Sequence, residues 1–430
     1  MPQNADETAP ARLLRSSISD TQVKEKHMTS SRTRIAIVGA GIGGLTLAAE
    51  LRRRGLEPQI YEQASELREV GAAVALSANA THFLRDRLGV GEELAEKSAD
   101  VDGLILRDGR DGRVISRISS REDYHERAGA PYYGVHRADL QHILKHAVGE
   151  DAIHLNKRCI RVEERTDAAV LYFADGDTVE ADLVIGADGV RSRLRREILG
   201  YDDAQFSGCH AWRGLVAPEK MPSLPDPEAI QFWMGPGGHL LHYPIGGGVQ
   251  NFFLVQRHNG PWEESSWVVP VAEEDEHLRA FEGWAPAITE MISANPVTER
   301  WALFHRPPLQ RWSKGRITLI GDAAHAMVPH HGQGANQSIE DAIVLADCLM
   351  EGLEQGTGWD TARQRYQELR ADRARRVQIT SLAAADVYHL PDGPAAEARN
   401  ARLGAPDAWD RYLGWIHEHV ADRYPSPVAS

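Results

Sequence analysis

The sequence predicts an α/β protein in which a parallel sheet is interrupted by a smaller antiparallel sheet. A glycine-rich turn at residues 39–44 lies between a short apolar strand and a helix, and a second strand follows at 59–61. A strand–helix–strand opening of this kind implies parallel strands. The stretch 208–256 is instead rich in Trp, Phe, Tyr and Gly, with short β-like runs such as FFLVQ. These runs favour antiparallel pairing, and a chain of 430 residues has room for two domains.

The remaining elements follow from apolar periodicity and from Gly and Pro positions. The predicted strands are 34–38, 59–61, 160–173, 178–185 and 316–320, with a hairpin over 101–118 that turns at the repeated DGR of 108–113. The predicted helices are 45–54, 137–149, 273–294, 338–351 and 360–388, with a loop at 352–359 and a tail of undefined packing from Pro391.

These elements divide the chain into discontinuous units. The expected units are a flexible tail at 1–30, a nucleotide domain from 31–100, 130–207 and 301–352, a substrate domain from 101–129 and 208–300, and a helical region at 353–430. Residues 1–30 lack the apolar run of a secretory signal.

The overall charge narrows the range of partners. The chain has 48 Lys and Arg against 62 Asp and Glu, a formal net charge of −14. Nucleic acids and anionic membranes need a cationic surface, so neither is expected as a partner. A small anionic substrate needs only local positive charge. Cys159, Cys209 and Cys348 have no metal-ligand or disulfide spacing, so we expect free thiols, no metal site and a cytoplasmic location.

The turn at 39–44 has the spacing of a Rossmann-like dinucleotide site. Gly39 permits the tight turn, Gly41 allows a pyrophosphate to approach, and Gly44 lets helix and strand pack closely. The helix N-terminus adds free N–H groups for the phosphates. Glu62, at the end of the second strand, is placed to bind a ribose hydroxyl, with Gln63 beside it. This motif alone does not distinguish FAD from NAD.

Further segments carry a specific resemblance. They are YEQA at 61–64, VHRADLQ at 135–141, DLVIGADGVRSRLR at 182–195 and LIGDAAHAMVPHHGQGANQSIEDA at 319–342. From residue 34 to 376 the chain resembles the single-component flavin monooxygenases that hydroxylate aromatic rings. It is similar to salicylate hydroxylase, 3-hydroxybenzoate 6-hydroxylase and 6-hydroxynicotinate 3-monooxygenase, whose fold is of the p-hydroxybenzoate hydroxylase type.

The resemblance implies a cofactor and the residues that hold it. FAD would be bound tightly without a covalent bond, and NADH or NADPH would visit a surface groove. Asp322 would bind the flavin ribityl chain, and the backbone N–H groups of Gly334 and Ala335 would face the flavin ring. Arg137 would contact FAD, and Asp188 would lie near its pyrophosphate; a structural role is the alternative for both. Ala73, in GAAVALS, is a further expected cofactor residue; in this segment the chain has alanine where some relatives have histidine or another polar residue.

The substrate side contains histidines and one tyrosine. His239 and Tyr243 are four residues apart, so both point to the same face if they lie on a strand. In relatives, matching residues contact the substrate phenol, and His239 would take the phenolic proton. The alternative is a core histidine beside a packing tyrosine. His330 is a second candidate to orient substrate, whereas His331 is expected to face away and His325 to be structural. Trp212 and Arg213 fit either the pocket rim or domain packing.

The function implied is hydroxylation of a phenolic or hydroxy-heteroaromatic acid with O2 and NAD(P)H through a flavin C4a-hydroperoxide. Another reaction on the same fold, such as epoxidation, halogenation or reduction, is one alternative, and the absence of a WxWxIP segment argues against halogenation. A flavin-binding regulatory module is a second alternative. A homodimer is the assembly common among relatives.

Overall fold

The structure is a computed structural model that describes residues 33–67, 73–200, 203–294 and 296–421. The tail predicted for 1–30 lies outside these ranges. The strands are β1 (Ile35–Val38), β2 (Gln59–Tyr61), β3 (Ala73–Leu76), β4 (Ser98–Asp100), β5 (Gly103–Asp108), β6 (Val114–Ser120), β7 (Tyr133–His136), β8 (Ile153–His154), β9 (Cys159–Glu164), β10 (Ala169–Phe173), β11 (Thr178–Ala181), β12 (Leu183–Gly186), β13 (Gln205–Val216), β14 (Ile230–Gly235), β15 (Gly238–Pro244), β16 (Gln250–Arg257), β17 (Val268–Pro270), β18 (Glu299–His305), β19 (Ser313–Lys314) and β20 (Ile317–Leu319).

The helices connect these strands and dominate the C-terminal region. They are α1 (Ile42–Arg53), α2 (Ala78–Asp86), α3 (Gly91–Lys97), α4 (Arg121–Ala128), α5 (Arg137–Val148), α6 (Arg193–Leu199), α7 (Glu276–Ala280), α8 (Pro286–Ser293), α9 (Asp322–His325), α10 (Gly334–Gln355), α11 (Gly358–Tyr388), α12 (Pro394–Leu403) and α13 (Trp415–His417). Within the described ranges, no helix combines the length and the apolar character needed to cross a membrane.

A six-stranded sheet forms the first layer, in the order β19-β20-β12-β1-β2-β8. All its pairings are parallel except that of β19 with β20. The strands IAIV and LVIG are buried at every residue because helices such as α1 and α10 cover the sheet. Continuous apolar strands are typical of parallel sheets buried on both faces. The predicted parallel sheet is confirmed.

An eight-stranded sheet forms the second layer, in the order β17-β18-β13-β16-β15-β14-β5-β6. Its pairings are antiparallel apart from β5 with β14, which is parallel. The predicted hairpin over 101–118 is confirmed as β5 and β6. Arg107 on β5 donates from Nε to Gln231 Oε1 on β14 at 2.6 Å, across 124 sequence positions. The sheet therefore joins two distant segments of the chain, and it extends through β18 to His305. Three-stranded sheets β11-β10-β9 and β3-β7-β4 flank these layers.

Four predicted elements were wrong in detail. The strand at 178–185 is two strands, β11 and β12, which lie in different sheets. The strand at 160–173 is a hairpin, β9 and β10, whose turn places Arg165 N 2.8 Å from Ala168 O. The helix at 273–294 is two short helices, and Pro286 starts the second. The loop at 352–359 is shorter, because α10 runs on to Gln355 before Gly356 turns the chain with a φ of +67°.

The C-terminal tail packs on the substrate side. From Pro391 the chain forms α12, a π-helical turn at Asp410–Gly414 and α13. Leu403 and Trp409 are buried in the same apolar cluster as Leu241 and Phe232 of the eight-stranded sheet. The segment left without defined packing by the sequence is thus part of the core around the candidate site.

A buried group of charges joins α10 to α11. Glu340, Asp341 and Arg370 each have no exposed side-chain surface. Arg370 Nε donates to Asp341 Oδ1 at 2.8 Å, and the Arg370 guanidinium also contacts Glu340. Arg373 Nε donates to Glu340 Oε2 at 2.7 Å. These guanidinium groups offset burial and keep the pKa of both carboxyl groups below the usual range.

We expect Arg370→Met to lower the free energy of unfolding by roughly 3–5 kcal/mol, because it leaves buried carboxylates without a counter-ion. Urea unfolding measures the effect. Arg365→Met on the same helix is the control, since Arg365 is partly exposed and lies 3.8 Å from Glu368; its effect should stay within about 0.5 kcal/mol. Equal effects for both variants would contradict the assignment.

Candidate active site

The turn between β1 and α1 requires glycine at two positions, and a third glycine borders open space. Gly39 has a φ of +109°, and a Cβ there would lie 2.3 Å from the Ala187 carbonyl oxygen. A Cβ on Gly44 would lie 2.2 Å from the Gly39 carbonyl oxygen, so helix and strand are as close as glycine allows. A Cβ on Gly41 would meet no heavy atom within 4 Å, because this position faces an open cleft. The N-terminus of α1 therefore meets open space suited to an anionic group.

Glu62 is held at the end of β2. Its carboxylate accepts hydrogen bonds from Ala40 N at 2.8 Å and from Ala64 N at 2.9 Å. These two bonds tie the acid to the glycine turn and orient it toward the cleft. Carboxylate oxygens have further acceptor capacity, so Glu62 can still bind a hydroxyl donor.

The cleft consists of two adjoining cavities. The glycine-turn cavity has a volume of about 490 Å³, and its wall contains Gly39, Gly41, Glu62, Gln63 and Asp188. The central cavity has a volume of about 340 Å³, and the predicted residues in its wall are Gly41, Gly44, Ala73, Arg137, Tyr243, Asp322, Gly334 and Ala335. The two cavities share Gly41, Ala187 and Gly189. The structure thus brings every predicted cofactor residue to one cleft.

Asp188 combines cavity lining with a local structural role. Its carboxylate accepts hydrogen bonds from Ser192 Oγ at 2.6 Å, Arg193 N at 2.7 Å and Leu194 N at 3.1 Å. Burial raises the pKa of this carboxyl, although these hydrogen bonds act in the opposite direction. Asp188 therefore fixes the start of α6 against the cleft, which is the structural alternative foreseen for it.

The turn that holds Asp322 is anchored from beneath. Asp341 Oδ2 accepts a hydrogen bond from Gly321 N at 2.8 Å and lies 2.6 Å from His325 Nε2. His325 is buried, which agrees with its expected structural role. Asp322 itself is exposed toward the central cavity. The N-terminus of α10, at Gly334, opens onto the same cavity and presents free N–H groups there.

Strand β15 forms the opposite wall of the central cavity. Side chains alternate along a strand, so His239, Leu241 and Tyr243 share one face. Leu241 and Tyr243 line the central cavity, whereas His239 lies beyond its wall and is 1% exposed. His239 and Tyr243 therefore lie on the same face of β15, but only Tyr243 borders the central cavity. Burial raises the pKa of Tyr243 well above its usual range, so its phenol is neutral.

His239 belongs to a group of buried histidines. His239 Nδ1 lies 2.7 Å from His389 Nε2, and the His330 ring is in edge contact at a centroid distance of 5.1 Å. Burial lowers the pKa of His239 well below its usual range, and lowers those of His330 and His389 to about 3. All three rings are therefore neutral at pH 7. His389, which follows α11, was not foreseen, since a partner 150 positions away leaves no local pattern.

His330 faces a third cavity rather than the central one. This C-terminal cavity has a volume of about 370 Å³ and lies between β5, β6 and β14 on one side and α11, α12 and the C-terminal turns on the other. His331 lines it as well and lies 3.2 Å from Thr380 O through Nε2. His331 was expected to face away from the substrate and does not line the central cavity; His330, the second candidate to orient substrate, does not line it either, because both rings reach the C-terminal cavity.

The structure shows the positions of Trp212 and Arg213, for which the sequence left the pocket rim and domain packing as alternatives. Arg213 lines the central cavity, with its guanidinium 3.6 Å from the centroid of the Trp301 ring. Trp212 points to the other face of β13 and donates to Glu276 Oε1 at 2.9 Å. Arg213 is thus a rim residue, and Trp212 packs in the core. The three cysteines are buried and free, as expected. The described residues include no cluster of three His, Cys, Asp or Glu side chains able to hold a metal ion.

A family model described as an FAD binding domain matches residues 32–381. The chain belongs to this family. It is 40% identical to the 3-amino-4-hydroxybenzoate 2-monooxygenase of Streptomyces platensis, over 94% of this chain and 99% of that protein. It is 35% identical to 3-hydroxybenzoate 6-hydroxylase 1 of Aquipseudomonas alcaligenes, over 91% of this chain and 99% of that protein. The chain is an FAD-dependent aromatic-ring monooxygenase by this kinship.

Solved structures agree with the fold of these flavin monooxygenases. HpxO of Klebsiella pneumoniae, complexed with FAD and uric acid, is 28% identical with a TM-score of 0.78, covering 90% of this chain and 97% of that one. A salicylate hydroxylase substrate complex is 27% identical with a TM-score of 0.74, covering 94% of this chain and all of the other. The p-hydroxybenzoate hydroxylase type of fold is confirmed.

The residues of the cleft fit FAD. The space in front of Gly41 accommodates a pyrophosphate, and Glu62 stands where a ribose hydroxyl needs an acceptor. Asp322 and the N-terminus of α10 both line the central cavity. Asp322 would bind the ribityl chain, and the positive end of the α10 dipole would face the flavin ring. These residues are the candidates to hold FAD in this monooxygenase.

We expect Asp322→Ala to be purified colourless, because the carboxylate is the candidate acceptor for the ribityl hydroxyls. The measurement is the flavin absorbance per protein, followed by titration of the apoprotein with FAD. Asp167→Ala is the control, since Asp167 is exposed in a turn away from the three cavities. An Asp322→Ala protein that is fully yellow would show that the site is assigned wrongly.

Proposed function

We propose that this monooxygenase hydroxylates the ring of a small aromatic acid that bears a phenolic hydroxyl, using FAD, O2 and NADH or NADPH. The observation behind the proposal is the position of His239. It shares a strand face with Leu241 and Tyr243 of the central cavity, opposite the candidate flavin-binding residues Asp322 and Gly334. His239 lies directly behind the wall that faces the candidate cofactor residues, and a base on this side of the ring is what ring hydroxylation needs.

FAD held by these residues would supply the redox chemistry by which electrons from the nicotinamide activate O2, one of whose atoms enters the ring while the other leaves as water. The protein's task is to place the ring, remove the phenolic proton and exclude water. Leu241, Phe253, Met327 and Val328 line the central cavity and make part of its wall apolar. An apolar wall favours a flat ring and keeps bulk water away from the reacting oxygen.

His239 is the proposed base. Residues two apart on a strand are about 7 Å apart, so His239 lies one such step beyond Leu241. In the tautomer in which His239 Nδ1–H donates to His389 Nε2, Nε2 of His239 is unprotonated and can accept a proton from a phenol. Burial disfavours an isolated imidazolium, but the phenolate formed at the same moment would neutralise it. Loss of the phenolic proton enriches the ring in electron density where oxygen attacks.

Arg213 is the proposed partner for the substrate carboxylate. Its guanidinium is fixed over Trp301 and lines the central cavity at the wall formed by β13 and β16. Guanidinium groups bind carboxylates by paired hydrogen bonds, which would set the ring's orientation. The relatives named above are a monooxygenase and hydroxylases, which favours hydroxylation over epoxidation, reduction or a regulatory role.

The direct test is turnover with a set of candidate acids. The FAD-loaded protein is assayed for NADH and NADPH oxidation with salicylate, 3- and 4-hydroxybenzoate, 3-amino-4-hydroxybenzoate and 6-hydroxynicotinate. We expect one of them to accelerate oxidation strongly, with an equivalent amount of hydroxylated product and little hydrogen peroxide. Oxidation that no acid stimulates would contradict the proposal.

We expect His239→Asn to keep FAD but to slow hydroxylation by about 10²–10⁴-fold, or to divert oxygen to hydrogen peroxide. Product and peroxide are measured together against nicotinamide consumed. The control is His242→Asn, on the same strand but the opposite face, where Nδ1 lies 3.1 Å from Gln250 Oε1. Normal coupling in the His239 variant would remove His239 from the role of base.

A further inference from the structure

The C-terminal cavity is distinct from the cleft that holds the proposed reaction. None of its wall residues lines the central cavity. Its volume of about 370 Å³ falls within the usual range of small-molecule sites, roughly 300–1,000 Å³. The proposed function leaves this cavity without an occupant.

Its charge is opposite to that of the whole chain. Four arginines line it, Arg376, Arg399, Arg402 and Arg411, and the described residues contribute no Asp or Glu to its wall. Arg376, Arg402 and Arg411 are exposed at the cavity; Arg411 is paired with Asp407, so Arg376, Arg399 and Arg402 supply the excess charge. In a chain with a net charge of −14, this local excess of positive charge attracts an anion.

Arg399 is the inner cation of this cavity. Arg399 is 2% exposed. Its guanidinium donates only to neutral acceptors in the hydrogen bonds found: Asn400 Oδ1 at 2.9 Å, and Val387 O and Tyr388 O at 3.2 Å each. Burial lowers the pKa of Arg399. The carboxylates of Asp108 and Asp392 counteract this only through electrostatic attraction at longer range. A buried guanidinium without a contacting carboxylate is costly, so an anionic ligand would stabilise it.

The remaining walls suit an aromatic ring. Tyr132, Phe232, Tyr388 and Trp415 line the cavity together with aliphatic side chains. His330 also lines it, and neither of its ring nitrogens has a hydrogen-bond partner although the residue is 1% exposed. A buried polar group without a partner costs about 1–3 kcal/mol, which a ligand hydroxyl would relieve.

We propose that the C-terminal cavity is a second binding site for an aromatic carboxylate, with the carboxylate on Arg399 and the ring against the exposed edges of the Phe232–Tyr388 pair, whose ring centroids are 5.7 Å apart. The chemical class of the ligand rests on the proposed function, whereas the existence of the site rests on Arg399 and His330. Because the His330 ring touches that of His239, a ligand here lies one contact away from the proposed base.

The test counts binding sites on the FAD-loaded full chain with 3-hydroxybenzoate as the probe. Calorimetry detects every binding event, whereas the flavin absorbance reports only the central cavity. We expect two equivalents by calorimetry and one by absorbance. Arg399→Met should weaken the second equivalent by about tenfold or more and leave the absorbance titration unchanged. Arg375→Met, an exposed arginine on α11, is the control.

A second variant tests whether Arg399→Met weakens binding only by disturbing the local structure. Ala384→Trp fills the cavity from α11 and should also abolish the second equivalent while FAD remains bound. A single equivalent in the unaltered protein would overturn the proposal, as would a second equivalent that both variants retain. Octanoate binding in place of 3-hydroxybenzoate would overturn the aromatic class.

The two proposals fail separately. If the flavin absorbance responds to none of the aromatic acids but calorimetry still shows an equivalent that Arg399→Met removes, the C-terminal site stands and the proposed function falls. If the absorbance titration and turnover are normal with one equivalent in total, the proposed function stands and the second site falls.

Discussion

The buried charges between α10 and α11 are the interaction on which the cleft depends. Asp341 is shared by Arg370 of α11, by His325 and by the backbone of Gly321, so one carboxylate fixes the turn that presents Asp322. Glu340 extends the group to Asn79 at the start of α2, through a hydrogen bond of 2.6 Å. Charges withdrawn from water are retained only when each is paired and hydrogen-bonded. The cofactor wall is therefore rigid because its supports cannot be solvated.

The two sheets divide the work of the site. The parallel sheet ends in the glycine turn and in the Asp322 turn, which together form the cofactor side. The eight-stranded sheet supplies the substrate side, and β15 is buried at every position because both its faces are covered. His239 and His242 thus differ in surroundings although they are three residues apart: one faces His330 and His389, the other Gln250.

Local patterns in the sequence were sufficient to predict which residues meet at the candidate cofactor cleft. The glycine spacing, Glu62 and Asp322 lie within short continuous segments, and the cleft contains all of them. The hairpin of β9 and β10 was missed because its turn, residues 165–168, has neither Gly nor Pro to signal it. His389 and Arg399 could not be foreseen, because their significance arises from contacts between the C-terminal region and a distant sheet. The composition of the segment from Pro391 onward did not predict that it packs into the core.

The parallel pairing of β5 with β14 has a consequence for how the molecule folds. Between these strands the chain adds β8 and β12 to the parallel sheet and forms the three-stranded sheet of β9 to β11, and it returns to the eight-stranded sheet with β13. Closing so long a loop lowers the chain entropy before the stabilising contacts between β5 and β14 can form. Non-local pairing of this kind slows folding. We infer that the β5–β6 hairpin keeps one edge unpaired until β14 is available to pair with β5. This part of the substrate wall would then be completed late in folding.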